Sequence, residues 1–173
     1  MALTNASLVH GDDLIGTATA AHTMALLVRA GSDATYWIAD STQSNLAAQF
    51  RAPGRVVRVL VGDPANYAET AIGDTDWHRV VSRYDGDGAT DADRLRLWVD
   101  GSERTNANIT HGGTIPATLT PDAGYFLLNN AAQNDPMLGR LAIVLRWQSA
   151  LDTAVIEGTL DRWLLASATR MGL

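Results

Sequence analysis

The chain has 173 residues, of which 46% are apolar and 18% charged, so it is long enough to bury one sizeable core and is expected to form a single domain over residues 1–173. Nineteen acidic against thirteen basic residues leave a net charge of −6, a balance that argues against nucleic acid as a general partner. There is no cysteine, which excludes disulfides and cysteine-based zinc sites, and every basic residue is Arg, never Lys.

The opening stretch, MALTNASLVHGDDLIG, has neither the basic n-region nor the continuous apolar h-region of a secretory signal. No apolar run anywhere reaches the roughly 18 residues that a membrane helix needs. A chain outside the membrane, exported by no signal peptide, is the expectation. Within residues 1–21 a strand is predicted near Leu14 and Ile15, where the core begins. His22 to Arg29 is a continuous apolar run ending before Gly31, which suits a strand with both neighbours paired. Tyr36 to Ala39 is a short strand. Asn45 to Arg51 and Arg55 to Val61 bracket Pro53-Gly54 as a hairpin. Gly62 to Asp74 reads as a loop containing Pro64, with a short strand around Glu69 to Ile72.

The most strongly patterned stretch follows, Asp76 to Arg104. Trp77 to Tyr84 is one strand. Arg94 to Val99 alternates strictly, with Leu95, Leu97 and Val99 on one side and Arg94, Arg96 and Trp98 on the other, as a half-buried strand does. Asp100-Gly101 reverses the chain in a hairpin turn. Thr105 to Asp122 reads mostly as loop, Tyr125 to Asn129 as a strand, Asn130 to Pro136 as loop, and Gly139 to Trp147 as the last long strand. Asp152 is placed to cap a helix in which Ile156, Leu160, Trp163 and Leu164 recur at helical spacing. Gly158 costs about 1 kcal/mol against Ala there, so a break in the helix is expected at that point. Many short strands between Gly, Pro and Asp turns predict an all-β antiparallel sandwich or jelly roll, with a short C-terminal helix and tail over residues 152–173.

The series Trp77-His78-Arg79-Val80, Tyr84-Asp85-Gly86 and Leu95-Arg96-Leu97-Trp98-Val99-Asp100-Gly101 resembles the paired central strands of LamG-like, concanavalin A-like domains. Gly139-Arg140-Leu141-Ala142-Ile143-Val144 followed by Ala150-Leu151-Asp152 is similar to the closing strand and turn of that family. The likeness covers His22 to Ile156 by pattern and departs from the family where Thr159 to Leu173 continues.

The resemblance raises glucanase chemistry, in which a retaining enzyme sets two carboxylates about 5 Å apart. The glucanase branch draws them from a Glu-x-Asp-x-x-Glu strand, and this chain has only Glu69, Glu103 and Glu157, none in that pattern. No Gly-x-Ser-x-Gly elbow, phosphate-cradling Gly loop or ligand-spaced set of histidines is present, so the chain is read as no enzyme. His78 is read as a strand residue bonded to a neighbour. The loop carrying Asp85, Asp87, Asp91 and Asp93 is the metal candidate, since its hard oxygens suit calcium, and some LamG-like relatives bind calcium at a sandwich rim. Ala89 stands where an EF-hand needs a ligand, and the alternative is a solvated hairpin loop in which Asp and Gly serve the turn. No other cofactor is expected.

Trp98, flanked by Arg94 and Arg96, is the leading ligand or partner candidate: it could stack on a sugar or anchor an interface. The alternative is that it packs under a crossing loop or the C-terminal helix. Tyr36 and Trp37 raise the same question, and Asn129 and Asn130 could join the acidic rim in a glycan site. Trp77 is assigned to the core, and Trp163 to docking of the C-terminal helix.

Two functions follow. The first is a structural interaction module, a bacteriophage virion protein (capsid decoration, head fibre or tail component) assembled in the host cytoplasm with other virion proteins. The second is a carbohydrate-binding module for a cell-surface glycan, with or without calcium. A homo-oligomer is expected, because exposed edge strands need protection.

Overall fold

The computed structural model describes residues 7–8, 20–31, 36–39, 46–51, 54–119, 126–127 and 139–173. The strands are β1 (Ser7–Leu8), β2 (Ala21–Arg29), β3 (Tyr36–Ala39), β4 (Leu46–Arg51), β5 (Val56–Val61), β6 (Asp63–Ala71), β7 (Trp77–Asp85), β8 (Leu95–Val99), β9 (Ser102–Glu103), β10 (Thr110–Gly112), β11 (Phe126–Leu127) and β12 (Arg140–Trp147). A one-turn helix α1 (Asp91–Arg94) precedes β8. The chain ends in α2 (Thr153–Val155), a π-helical turn (Ile156–Leu160) and α3 (Asp161–Met171).

Two five-stranded antiparallel sheets carry the fold, in the orders β12-β2-β7-β8-β9 and β10-β6-β5-β4-β3, while β1 and β11 pair separately. The core between the sheets follows the alternation of the sequence. Met24, Leu26 and Val28 of β2, Val80 and Tyr84 of β7, and Leu95, Leu97 and Val99 of β8 meet Phe50, Val57, Val59 and Val61 from the facing sheet. The Asp100-Gly101 turn has both central residues at positive φ, 54° and 81°, as a two-residue hairpin requires.

The unbroken apolar run of β2 has its explanation in a second core on the other face of its sheet. Ala25, Val81 and Trp98 lie there in one cross-strand row, since Ala25 opposes Val81 and Val81 opposes Trp98. Ile156, Leu160 and Leu164 of the C-terminal helical segment pack onto that row. A bulge between Leu141 and Ile143 breaks the alternation of β12, so Leu141 and Val144 reach the first core while Ile143, Leu145 and Trp147 reach the second. Arg79 Nε donates to Asp161 Oδ1 at 2.6 Å, which fastens the start of α3 to the sheet.

Several expectations change in detail. The strand expected near Leu14 and Ile15 lies outside the described residues. The segment read as a loop around Pro64 is strand: β6 runs nine residues from Asp63, with a register shift beside Leu60 and Val61 that accommodates the proline near its exposed start. Asp152 does stand at the helix start, but its side chain makes no capping bond. The helix is not broken at Gly158; it widens there into a π turn and resumes. Trp163 does not dock the helix: it is 49% exposed, and Leu164 and Ala168 are buried in its stead. Trp77 is half-buried on β7.

The second core assigns the two tryptophans opposite energetic weights. Trp98→Ala is expected to lower the unfolding free energy by about 3–5 kcal/mol through lost burial and the cavity left behind. Trp163→Ala is expected to change it by no more than about 0.5 kcal/mol. Urea unfolding of both variants measures this, and similar losses would contradict a sheet covered on both faces.

Candidate functional site

The structure divides the sequence-derived candidates: Trp98 is buried, while Arg94 and Arg96 join the acidic loop through Asp91 and Asp93. Trp98 points away from Leu95, Leu97 and Val99 as the alternation requires, but it is 1% exposed beneath the C-terminal helical segment, with Nε1 donating to Glu157 Oε1 at 3.1 Å. A sugar cannot stack on it, and the alternative reading, packing under the helix, is what the fold contains. Arg94 Nη1 donates to the Ile115 carbonyl at 3.0 Å, and Arg96 Nη2 donates to Asp93 Oδ1 at 3.1 Å. Trp37 lies on β3 opposite Gln49; its side chain falls outside the described residues, as do Asn129 and Asn130.

The acidic loop is knitted to itself and its neighbours. The Thr90 hydroxyl donates to Asp93 Oδ2 at 2.8 Å and accepts the Asp93 N–H at 3.2 Å, which caps α1. Asp85 Oδ2 accepts from Arg83 Nη2, and its Oδ1 accepts the Asp87 N–H at 3.3 Å. Asp91 Oδ1 accepts the Ile115 N–H at 3.0 Å. Among the described residues, no three His, Asp or Glu side chains converge as a metal ion would need. The hydrogen bonds of these carboxylates are those of turns and a helix cap.

A different concavity stands at the seam where the edges of the two sheets meet. It encloses about 310 Å³ and is bounded by the last residues of β6, the 3₁₀ turn Asn106–Asn108, the start of β10 and the residue after β9. Val56, Ala71 and Ala107 supply small apolar surface, while Glu69, Thr70, Asn108, Thr110 and Arg104 supply polar groups. The pairing of Thr110 with Glu69 fixes β10 along β6, and the Thr70 hydroxyl donates to the Asn108 carbonyl at 2.7 Å, which pins the 3₁₀ turn over the strand. Arg104 is held by its backbone, whose N–H donates to the Leu97 carbonyl at 2.8 Å.

The charges in the pocket are unevenly satisfied. Glu69 Oε2 accepts from Arg58 at 2.7 Å, and Arg58 also lies 3.6 Å over the ring of Tyr67. The Tyr67 ring in turn occupies the space a side chain at Gly112 would need, with ring atoms 2.3 Å from where its Cβ would be. Among the described residues Arg104 has no acidic partner within 4.0 Å, and its Nε is buried without a hydrogen-bond partner. Sequence reasoning passed over this set because Thr105 to Asp122 carries no motif; the one signal was a polar Asn, Thr and His tract directly after a patterned hairpin.

Two histidines sit in opposite electrostatic settings. His78 Nδ1 lies 2.8 Å from Asp100 Oδ2 and Nε2 lies 2.8 Å from Asp74 Oδ1, so both ring nitrogens serve as donors when the ring is charged. The Asp100 hydrogen bond, helped by Asp74 and opposed by partial burial, raises its pKa. His22 is fully buried, stacked on Tyr84 with centroids 5.1 Å apart, and neither ring nitrogen has a partner. Burial, with Arg146 as a second cause, pushes its pKa down to about 3.

No family model and no curated protein matches the chain. Solved structures do. The native heptameric SAP-like pentraxin of Limulus polyphemus superposes with a TM-score of 0.59 at 15% identity, over 84% of this chain and 71% of the pentraxin. A candidate carbohydrate-binding protein of Bacteroides ovatus gives 0.61 at 14% identity, over 86% of this chain and 43% of that one. Trypanosoma rangeli sialidase in complex with sialic acid gives 0.57 at 16% identity, over 87% of this chain and 23% of the sialidase. The chain thus spans less than half the length of the latter two. At these identities the likeness is one of fold: the chain shares a two-sheet antiparallel β-sandwich with these proteins, the architecture expected from its central hairpin.

The histidines set a pH dependence. Between pH 6.5 and about 3 the unfolded chain binds a proton at His22 that the folded chain excludes, so stability falls on acidification by up to about 1.4 kcal/mol per pH unit. His78 has the opposite sign: its raised pKa stabilises the fold fully below pH 6.5 and the benefit is lost as pH rises through the folded value. His22→Phe, which keeps the stack on Tyr84, is expected to flatten the acid limb. Urea midpoints of both proteins at about pH 7 and pH 4.5 measure it, and an unchanged acid limb would contradict the assignment.

Proposed function

We propose that this chain is a non-catalytic carbohydrate-binding module whose ligand occupies the seam pocket between β6, β10 and Arg104. The pocket carries the reading: small apolar side chains beside converging hydroxyl, amide and guanidinium groups are what a sugar's mixed surface pairs with. Its volume, about 310 Å³, suits one or two sugar rings, at the lower end of small-ligand sites. The fold-level likeness to a candidate carbohydrate-binding protein and to a sialidase solved with sialic acid supports the same class of ligand. Binding without turnover is the reading supported by Glu69, the one carboxylate among the described lining residues, which is committed to Arg58, whereas glycoside hydrolysis ordinarily takes two.

A second reading, an assembly module, is favoured by a separate observation. Among the described residues every exposed large hydrophobic side chain (Val155, Trp163, Leu165, Met171 and Leu173) belongs to the C-terminal segment. Docking of that segment onto a virion capsid or tail, or onto a second copy of the chain, would cover it. The two readings use different residues and are compatible.

Glycan-array screening of the intact chain, followed by titration of the best glycan, tests the first reading. Asn108→Ala is expected to weaken binding about ten-fold, the worth of one to two hydrogen bonds, at unchanged thermal stability. Incubation with the same glycan is expected to release no reducing ends. A glycan bound equally well by Asn108→Ala would move the site elsewhere. For the second reading, the solution mass of the wild type is expected to exceed that of a monomer, or to do so once capsid or tail proteins are added, and Trp163→Ala to reverse it.

A further inference from the structure

Arg104 is the one cationic side chain among the residues lining the seam pocket. Acidic groups outnumber basic ones nineteen to thirteen in this chain, so carboxylate partners are plentiful. Arg58, Arg79, Arg83 and Arg96 each sit within 4.0 Å of an acid. Arg104 follows Glu103 directly, yet Glu103 pairs with Arg96 at 3.6 Å on the other side of the strand. The nearest acid in the pocket, Glu69, is held by Arg58 at 2.6 Å. Arg104 therefore lines the pocket with no acid paired to it among the described residues. Its Nε is enclosed by protein, and its terminal nitrogens, which are not among the enclosed atoms, remain open to a ligand.

The rest of the lining points the same way. Among the described lining residues there is no aromatic side chain to serve as the flat platform on which neutral pyranose rings usually stack. The remaining polar groups, from Thr70, Asn108 and Thr110, are neutral. Charge is then the largest source of affinity the pocket offers, and it is positive. A guanidinium matches a planar carboxylate through two parallel hydrogen bonds better than it matches a single hydroxyl.

Resting on the carbohydrate reading of this pocket, we infer that its ligand is an acidic sugar whose carboxylate pairs with Arg104 while its hydroxyls meet Asn108 and Thr110. Arg104 is thus the specificity-determining residue. It selects the charged sugar, and the small side chains of Ala71 and Ala107 leave room for the ring.

The test is calorimetric titration of the intact wild-type chain with trigalacturonate, 3′-sialyllactose, neutral galactotriose and a sulfated galactobiose, each at low and high salt. At least one of the two carboxylate sugars is expected to bind more tightly than galactotriose, and to weaken as salt rises. Arg104→Gln is expected to cost ten-fold or more in that affinity, and Arg104→Lys to recover part of it, with thermal stability checked for both. Should either variant fold poorly, the side-chain Nε–Hε resonance of Arg104 in the wild type serves as the probe; a shift with the carboxylate sugar alone supports the pairing. Galactotriose bound equally by wild type and Arg104→Gln would overturn the acidic-sugar inference while leaving a carbohydrate module. Tighter binding of the sulfated sugar would overturn the carboxylate assignment. Binding of none of the four, with no glycan found on an array, would overturn both readings together.

Discussion

The sheet β12-β2-β7-β8-β9 is apolar on both faces, and that constraint shapes everything else in the molecule. A sheet of this kind cannot leave either face in water, so one side needs a second sheet and the other needs a further layer. The facing sheet supplies Phe50 and the valines of β5, and the C-terminal segment supplies Ile156, Leu160 and Leu164. Trp98 is where the second requirement is felt most. It is the largest fully buried side chain, and its indole N–H finds a partner on the covering segment, in Glu157. The ion pair between Arg79 and Asp161 then sets where the covering helix begins along the sheet. Gly101 fits this junction too: a side chain there would lie 2.7 Å from the Asp161 carboxylate, at a backbone angle that already favours glycine.

Covering that face decides where a ligand can go. One face of the central sheet holds the main core and the other holds the helix, so among the described elements the surfaces left include the sheet edges and the outer side of the second sheet. On that outer side Arg58 lies across Tyr67 and binds Glu69, which turns three potential ligand contacts into a self-satisfied cluster. The seam beside it is different, because the short β10 stops at Thr110 while β6 runs on to Ala71. The mismatch in strand length opens a concavity, and Arg104 lines it with a charge that no described acid neutralises. The functional proposal therefore rests on a geometric consequence of unequal edge strands.

Much of the fold was legible in particular residues. The strict alternation from Leu95 to Val99, the Asp100-Gly101 turn and the Trp77 strand placed the central hairpin, since period-two patterns have one reading when a face is buried. The run from His22 to Arg29 was legible as a paired central strand. Less visible was that the missing alternation meant a third layer, because burial from a segment more than a hundred residues away leaves no local mark. Trp98 illustrates the limit: its direction followed from the pattern, but its exposure depended on Ile156 and Leu160. The same blindness hid the exposure of Trp163, whose spacing fits the apolar stripe while Leu164 takes the buried position. The candidate site was hardly legible at all. Glu69, Arg104, Asn108 and Thr110 come from separate elements and share no motif, and only the register of β10 on β6 brings them into one place.

The proposed ligand surface is the seam pocket, and not the covered sheet or the helix. Backbone amide shift mapping of the isotope-labelled chain, titrated with the best glycan from an array, tests it most directly. The account places the perturbed amides at residues 69–71 and 104–110, with residues 155–173 unmoved. Perturbations that follow the C-terminal helix, or that spread across the sheet faces and spare the seam, would contradict it.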